Sequence, residues 1–350
     1  MLTRFIDKFI QRVAFVIMLC MMMAACSDSD DDAVGTEDVS VAFTLTVADA
    51  ASTRAENDGW DDYSPAQDGI LNENLVNTDD IIIAIYDDKG NKVDNVEDLR
   101  VTTVSDPSVS GATVYAITGV WRNAKPNVDK AKRVMVIANS NVSAWGDPSA
   151  LTYDLNPGTR KYIPMWGVVK IPATLTLGKQ NKLPNIQMLR AMAKVSVSLR
   201  TDMTTYGYSI ASMTVNNYNT KGYCVPKTFN KVDNTTDVRF ANSLNVLDSH
   251  ADKIALPTTA PLYLPEYDNS GANPTTITVN LNRNGTLEGS YTLEFRNYDS
   301  DGKPTGSTYP IQRNHYYQYW IYKEKGKMIV TLHVRKWNRR IYPETDGIIM

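Results

Sequence analysis

The segment VSVAFTLTV, residues Val39–Val47, alternates along its whole length between apolar side chains and small or hydroxyl-bearing ones. The apolar residues share one face of an extended strand: Val39, Val41, Phe43, Leu45 and Val47. The opposite face carries Ser40, Ala42, Thr44 and Thr46. Five period-two matches in nine residues predict a half-buried β-strand rather than a helix.

The remainder of the 350-residue chain repeats this kind of pattern in short segments. Asn, Asp, Gly and Pro interrupt the segments about every ten residues, which is typical of β-sandwich or β-barrel domains. Further strands are predicted at residues 81–86, 113–120, 133–138, 168–177, 193–199, 212–216, 276–281, 291–295, 316–322 and 328–334. Residues 184–193 suggest a helical turn, and residues 94–99 are ambiguous. The sequence therefore predicts an all-β protein.

The chain beyond residue 25 is long enough for two domains that each bury a core of their own. We place the boundary between residues 200 and 208, after one strong predicted strand and before the next. This gives an N-terminal domain of residues 39–204 and a C-terminal domain, with its tail, of residues 205–350.

Residues 1–25 have the features of a signal peptide. A basic start is followed by an apolar run, residues 13–23, which is too short to span a membrane. Met23-Ala24-Ala25-Cys26 then resembles a bacterial lipobox, in which the cysteine becomes the lipid-bearing first residue of the mature protein. Two or more acyl chains on Cys26 are enough for stable anchoring, so we expect an anchored protein.

The next segment, residues 26–38, is expected to be an acidic tether. Its stretch SDSDDD at residues 27–32 cannot pack into a core and should stay solvated. It resembles the acidic signal that follows the lipidated cysteine in surface-exposed lipoproteins of the Bacteroidetes. The expected location is therefore the outside of the cell outer membrane.

No motif points to catalysis or to a cofactor. The three histidines, His250, His315 and His333, do not have metal-ligand spacing, and no phosphate-binding loop, dinucleotide fingerprint or nucleophile elbow occurs. The net charge of −3 comes without a basic stripe, which argues against nucleic acid as a partner. We predict no catalytic, cofactor-binding or metal-binding residue, and no enzymatic activity.

An acidic loop and a single cysteine could suggest a metal site or a reactive thiol, but each has a simpler interpretation. Asp58, Asp61 and Asp62 offer oxygen ligands for calcium, but a solvated acidic loop is the favoured interpretation because no EF-hand pattern accompanies them. Cys224 has no internal partner once the signal peptide and the lipidated cysteine are set aside. We expect it to be a small buried hydrophobic residue rather than a reactive thiol.

Aromatic residues crowd one predicted strand: Tyr316, Tyr317, Tyr319, Trp320 and Tyr322. Aromatic strands can bind sugars by stacking, which keeps a glycan-binding module open as a hypothesis. The favoured interpretation is that alternate residues, such as Tyr317 and Tyr319, fill a sandwich core while the others line an edge.

Five further segments together resemble the fimbrillins of the Bacteroidetes, the FimA and Mfa type of pilus subunits. They are VMVIAN at residues 134–139, IPMWG at 163–167, LRAMAKV at 189–195, LYLPE at 262–266 and RNHYY at 313–317. The resemblance implies two tandem transthyretin-like β-sandwich domains. It also implies export as a lipoprotein and cleavage by an arginine-specific extracellular protease in the loop after the first strand. Arg54, followed by Ala55, occupies that place.

Cleavage after Arg54 would detach the first strand together with its lipid. Its five apolar side chains, at roughly 1.5–3 kcal/mol each, would leave a groove lacking on the order of 10 kcal/mol of burial. A strand from another fimbrial subunit can restore both that burial and the backbone pairing. Because donor and acceptor surfaces differ, such contacts are head-to-tail and build a filament.

The resemblance also implies that the C-terminal region supplies the donor strand, but the tail of this chain matches the first strand poorly. Residues 338–350 have poor apolar alternation, and Pro343 removes a backbone donor. Either the donor strand includes the preceding strand, or the protein is the tip or anchor subunit of a fibre.

The expected function is a structural fimbrial subunit that supports adhesion. The alternative is a surface lipoprotein that binds glycan or another ligand and never polymerises. A surface hydrolase has no motif in its favour.

Overall fold

The computed structural model describes residues 35–47, 64–69, 73–105, 113–141, 151–155, 162–226, 250–256 and 261–341. The predicted signal peptide and most of the acidic tether lie outside these residues, as does the loop with Asp58, Asp61 and Asp62. Within the described ranges, no helix has the length and hydrophobicity needed to cross a membrane.

The regular secondary structure of the described residues is almost entirely β-strand, which confirms the all-β prediction. The strands of the first half are β1 (Val39–Val47), β2 (Ser64–Gly69), β3 (Ile81–Tyr86), β4 (Lys92–Ser105), β5 (Thr113–Trp121), β6 (Arg133–Ala138), β7 (Thr152–Asp154), β8 (Met165–Lys170), β9 (Gln180–Lys182), β10 (Ile186–Arg190) and β11 (Met192–Leu199). Those of the second half are β12 (Tyr208–Asn219), β13 (Lys221–Tyr223), β14 (His250–Leu256), β15 (Leu262–Pro265), β16 (Thr276–Arg283), β17 (Thr286–Glu294), β18 (Asn297–Tyr298), β19 (Pro304–Thr305), β20 (His315–Glu324) and β21 (Lys327–Ile341). A 3-10 turn at Val128–Lys130 and a short helix, α1 (Thr201–Thr205), complete the described elements.

The N-terminal sheet closes on itself. Its eight strands run in the order β10-β8-β6-β3-β4-β5-β1-β9, and β10 also pairs with β1. Period-two alternation sends one set of side chains inward, for example Ile83 and Ile85 of β3, while Ala84 and Tyr86 face outward. The inward side chains form a single apolar cluster, the N-terminal core.

The C-terminal part holds a second core between two sheets. One sheet has the order β15-β11-β20-β21-β2 and the other β14-β12-β16-β17. Phe295 contacts both Tyr317 and Tyr319 edge-on inside this core, with ring centroids 5.3 and 5.7 Å apart. The hairpin between β16 and β17 turns at Asn284 and Gly285, both with positive φ, as a tight two-residue turn requires.

The chain changes from the first sheet to the second at Ala191. β10 pairs with β8 and β1, whereas β11, which begins one residue later, pairs with β15 and β20. The expected boundary between residues 200 and 208 therefore falls after a strand that already belongs to the C-terminal sheet. Sequence alternation marks β11 as a strand but does not say which sheet it joins.

Two local predictions were wrong, and one ambiguous segment is now assigned. Residues 184–193 form β10 and the start of β11 instead of a helical turn. The ambiguous residues 94–99 lie within β4, whose polar residues face solvent on an exposed strand. The predicted strand at 168–177 ends at Lys170, just before Ile171 and Pro172, because proline cannot donate to a ladder.

Candidate functional site around the first strand

The five apolar side chains of β1 lie in the N-terminal core. Val39, Val41, Phe43 and Leu45 are at most 1% exposed, and Val47 is 3% exposed. They contact the inward-facing residues of the closed sheet as one cluster. The structure thus brings together all five residues that the sequence places on the apolar face of the first strand.

Backbone pairing holds β1 on both edges. Seven consecutive residues, Val39–Leu45, pair antiparallel with β5. On the other edge, Ser40–Ala42 pair parallel with β9, and Leu45–Val47 pair parallel with β10. Since β1 is an interior strand and not an edge, its removal would leave unpaired backbone groups on the three strands that flank it, β5, β9 and β10. We call the space that β1 fills, with these two flanking edges, the β1 slot.

The small residues on the outward face of β1 are also covered. Ser40, Ala42 and Thr44 are 8%, 1% and 5% exposed. Asn185, just before β10, accepts a hydrogen bond from Thr44 Oγ1 at 2.8 Å and donates one to Thr46 Oγ1 at 3.0 Å. Sequence alternation alone predicts a half-buried strand, but this strand is buried on both faces.

A carboxylate clamp fixes the start of β1. Asp38 Oδ1 accepts the backbone N–H of Asn123 at 2.8 Å, and Asp38 Oδ2 accepts Nη1 of Arg122 at 2.9 Å. Arg122 also donates to Asp98 at 2.6 Å. The backbone hydrogen bond from Asn123, followed by that from the Arg122 guanidinium, lowers the pKa of Asp38 below its usual range. Asp38 is therefore charged at neutral pH and anchors the strand in one register.

The covalent connections of β1 run through segments outside the described residues. The predicted lipidation residue Cys26 and the cleavage residues Arg54 and Ala55 lie there, so their roles remain predictions. The first described element after residues 48–63 is β2, which pairs parallel with β21 in the C-terminal sheet. A cut after Arg54 would fall between two strands of different sheets.

A buried polar cluster lies where the chain changes sheets. Arg190 is fully buried and donates to the carbonyl of Glu73 at 3.0 Å, to Asn314 Oδ1 at 2.7 Å, and to Asn74. Lys194 forms an ion pair with Glu73 at 2.7 Å, and both side chains are at most 7% exposed. We call Glu73, Asn74, Arg190, Lys194 and Asn314 the polar junction.

Neighbouring groups extend the polar junction. Tyr263 donates to Glu73 Oε1 at 2.6 Å, and its burial beside that carboxylate raises the pKa of the phenol. Close by, Arg313 forms an ion pair with Glu266 at 2.9 Å, with both side chains 3% exposed. Arg313 also donates to the carbonyl of Cys224 at 2.9 Å.

Sequence reasoning did not identify this cluster as a site. Apart from Glu73, the charged residues of the junction and of the neighbouring Arg313–Glu266 pair lie in three of the segments that carry the family resemblance, at residues 189–195, 262–266 and 313–317. The available signal was the set of charged residues inside otherwise apolar motifs, because charges are almost never fully buried unless they are paired. Only the fold shows that these segments meet.

The aromatic strand divides only partly as the favoured interpretation predicts, because Tyr316 is also buried, at 7% exposed, and β20 is an interior strand rather than an edge. Tyr317 and Tyr319 are fully buried in the C-terminal core, while Trp320 and Tyr322 are partly exposed on the other face of β20. Burial raises the pKa of Tyr319 well above its usual value. Cys224 is buried, as expected of a small hydrophobic residue. Among the described residues, no group of three or more His, Cys, Asp or Glu side chains is arranged to hold a metal ion.

Comparison with known proteins finds similar solved structures. Neither a protein-family model nor a curated protein matches the chain. The tip fimbrial protein Mfa3 from Porphyromonas gingivalis, solved with a C-terminal truncation, is 15% identical and superposes with a TM-score of 0.50. The match covers 86% of this chain and 100% of that one. A fimbrial assembly protein from Parabacteroides distasonis is 14% identical with a TM-score of 0.47, covering 84% of this chain and 96% of that one.

At this level of identity, the likeness to Mfa3 establishes a shared fold. It confirms the fimbrillin resemblance of the sequence motifs at the level of the fold. What each residue does must be argued from this chain itself.

Proposed function

We propose that this chain is a structural subunit of a cell-surface fimbria that supports adhesion. In this proposal it is exported as a lipoprotein through Cys26 and cut after Arg54 by an arginine-specific extracellular protease. It then joins other fimbrial subunits by donor-strand exchange. The observation that carries the proposal is the position of β1, an interior strand that is buried on both faces and paired on both edges.

The geometry suits a strand that is replaced rather than simply lost. Vacating the β1 slot would expose apolar side chains worth on the order of 10 kcal/mol of burial. It would also leave the N–H and C=O groups of β5, β9 and β10 without partners along one edge. A strand supplied by another subunit restores both contributions at once, which is the physical basis of strand addition.

The connectivity separates β1 from the rest of the molecule. Beyond the predicted cleavage loop, the chain is held by β2 in the C-terminal sheet and by Glu73 and Asn74 in the polar junction. A cut after Arg54 therefore leaves these contacts in the larger fragment. Noncovalent contacts alone would then retain β1: backbone pairing, burial and the side-chain hydrogen bonds of Asp38 and Asn185.

The decisive experiment replaces Arg54 in the full-length protein in its native host. Arg54→Ala should block cleavage, so that the lipidated precursor accumulates and the subunit is missing from fibres. Arg54→Lys is the matched control. It keeps the positive charge and a side chain of similar length, but it removes the guanidinium group that an arginine-specific protease recognises. Lipid labelling, immunoblotting and immunogold electron microscopy provide the measurements.

Both variants should fail to mature if the protease is arginine-specific. Maturation of Arg54→Lys alone would indicate a protease that also accepts lysine. Normal incorporation of Arg54→Ala into fibres would reject cleavage at this position as the trigger of assembly.

A non-polymerising ligand-binding lipoprotein is the second candidate. The partial exposure of Trp320 and Tyr322 on one face of β20 favours it, since exposed aromatic rings can stack on sugars. Glycan binding that is lost with Trp320→Ala, in a protein that never enters a fibre, would support this candidate over the first.

A further inference from the structure

The register of β1 against β10 places two hydroxyl groups beside one amide. Leu45 is paired with Ile186, so the preceding residues, Thr44 and Asn185, lie side by side. Asn185 accepts from Thr44 at 2.8 Å and donates to Thr46 at 3.0 Å, using both ends of its amide. The hydroxyl groups of Thr44 and Thr46, two positions apart on the outward face of β1, are thus both bound by Asn185.

Apolar alternation by itself cannot identify the strand that belongs in the slot. Within this chain, β16 alternates Ile277, Val279 and Leu281 in the same way, and all three are buried in the C-terminal core. Many strands of a fimbrial protein share this pattern, because every half-buried strand needs it. Discrimination between partners therefore requires directional contacts as well as burial.

A second directional contact precedes the strand. The carboxylate of Asp38 is held by the Arg122 guanidinium at 2.9 Å and by the N–H of Asn123 at 2.8 Å. A neutral residue at this position would leave the guanidinium without one of its two carboxylate partners, the other being Asp98. The slot therefore favours an acidic residue immediately before the first apolar position.

We infer that the β1 slot selects its strand by three features: an acidic residue held by Arg122 and Asn123, five alternating apolar residues, and hydroxyl residues at the two outward positions contacted by Asn185. The inference rests on the proposed function and specifies the chemistry of the partner strand. The occupant is an extended segment of another fimbrial subunit with this pattern.

The pattern also bears on whether the chain can fill its own slot in a second copy. From Lys327 to the end, the only Ser or Thr residues are Thr331 and Thr345, so no two hydroxyl residues stand two positions apart. Neither the tail nor the strand before it meets the requirement of Asn185. A donor strand taken from residues 327–350 of a second copy would therefore lack the pair of hydroxyl groups that Asn185 contacts.

Peptide competition in the cut protein tests this selection. A full-length chain with a specific protease site in place of Arg54 is cleaved and incubated with labelled peptides, and native mass spectrometry measures how much peptide replaces the resident strand. The parent peptide has the sequence of residues 38–47, DVSVAFTLTV. The second peptide changes both threonines, Thr44→Val and Thr46→Val. The third reverses the order of residues 39–47, which keeps the composition and the apolar alternation.

The parent peptide should bind about tenfold more tightly than the double-valine peptide, as expected when two hydrogen bonds are lost. The reversed peptide should also bind more weakly, because its outward threonines no longer lie beside Asn185. In an Asn185→Ala protein the parent and double-valine peptides should differ by no more than about twofold. This double-mutant cycle isolates the contact between Asn185 and the hydroxyl groups.

The outcomes separate the inference from the proposed function. Equal binding of parent and double-valine peptides to both proteins overturns selection by hydroxyl groups while leaving strand exchange intact. Failure of every peptide to enter the slot, the parent included, overturns the proposed function and the inference together. A tenfold preference that disappears with Asn185→Ala supports both.

Discussion

The β1 slot and the polar junction are both deeply buried, yet different kinds of interaction hold them together. The slot combines apolar side chains with backbone pairing, and the carboxylate of Asp38 binds Arg122 at the start of β1. The polar junction combines two cations, a carboxylate and two amides, with Arg190 fully buried. The first can be refilled by any strand of suitable pattern, whereas the second depends on particular groups at particular distances.

Apolar burial and buried ion pairs differ in how much they depend on the identity of the partner. Burial of apolar surface is non-directional and scales with area, so a different strand can supply it. A buried charge is costly unless its own partners are present, so breaking such a pair is strongly destabilising. In the proposed assembly, the slot is the region that exchanges and the junction is the region that must not.

The largest expected effect is at the polar junction. Arg190→Ala removes the donor to the Glu73 carbonyl, Asn314 and Asn74 and leaves these acceptors buried, which should lower the free energy of unfolding by about 3–5 kcal/mol. Arg200→Ala is the matched control, because Arg200 is about half exposed and pairs with Asp202 at the surface, where solvent weakens such pairs and the effect on stability should be much smaller. Urea unfolding followed by tryptophan fluorescence measures both. Equal effects of the two substitutions would contradict the special role of the junction.

A somewhat smaller effect is expected inside the slot. Leu45→Ala removes a fully buried side chain and leaves a cavity in the N-terminal core, so we expect a loss of about 2–4 kcal/mol in unfolding free energy. Leu287→Ala makes the same chemical change at a residue that is 63% exposed and should change stability by about 0.5 kcal/mol or less.

Hydrogen exchange would localise the change in the slot. Leu45→Ala should weaken protection in β1, β5 and β10 while β20 and β21 keep theirs. Uniform loss of protection across both cores would mean that they unfold as a single unit. The β1 slot would then not be a separately exchangeable region.

The smallest effect concerns pH. Because the folded-state pKa of Asp38 lies below its ordinary value, its carboxylate stabilises the start of β1 above about pH 4, and this contribution is lost as pH falls through the lowered pKa. Asp38→Asn should therefore speed hydrogen exchange in β1 at pH 7 and make little difference in strong acid. Asp202→Asn is the control, since the pKa of Asp202 is also lowered, in its case by Arg200, far from β1 along the chain. A β1 exchange rate that responds equally to both substitutions would disprove the clamp.

Much of the slot is readable from residues 39–47, whereas little of the junction is. Strict alternation identifies both the extent of β1 and its five core residues, and the structure has that strand with the same ends. By contrast, Arg190 stands in the segment 184–193, whose pattern suggested a helical turn, and Lys194 stands in the next predicted strand, with no local sign of a buried partner. Their partners, Glu73 and Asn314, lie more than a hundred residues away along the chain.

By itself, the sequence determined the β character of the chain and which side chains of the first strand face a core, because period-two alternation is a local property of the backbone. The same holds for Tyr317 and Tyr319, whose burial follows from their place in an alternating strand. Only the tertiary structure decided that β1 lies between two partners in a closed sheet, that β11 joins the second sheet, and that Arg190 meets Asn314. Strand pairing and buried ion pairs join residues distant in sequence, and no local pattern encodes which of them will meet.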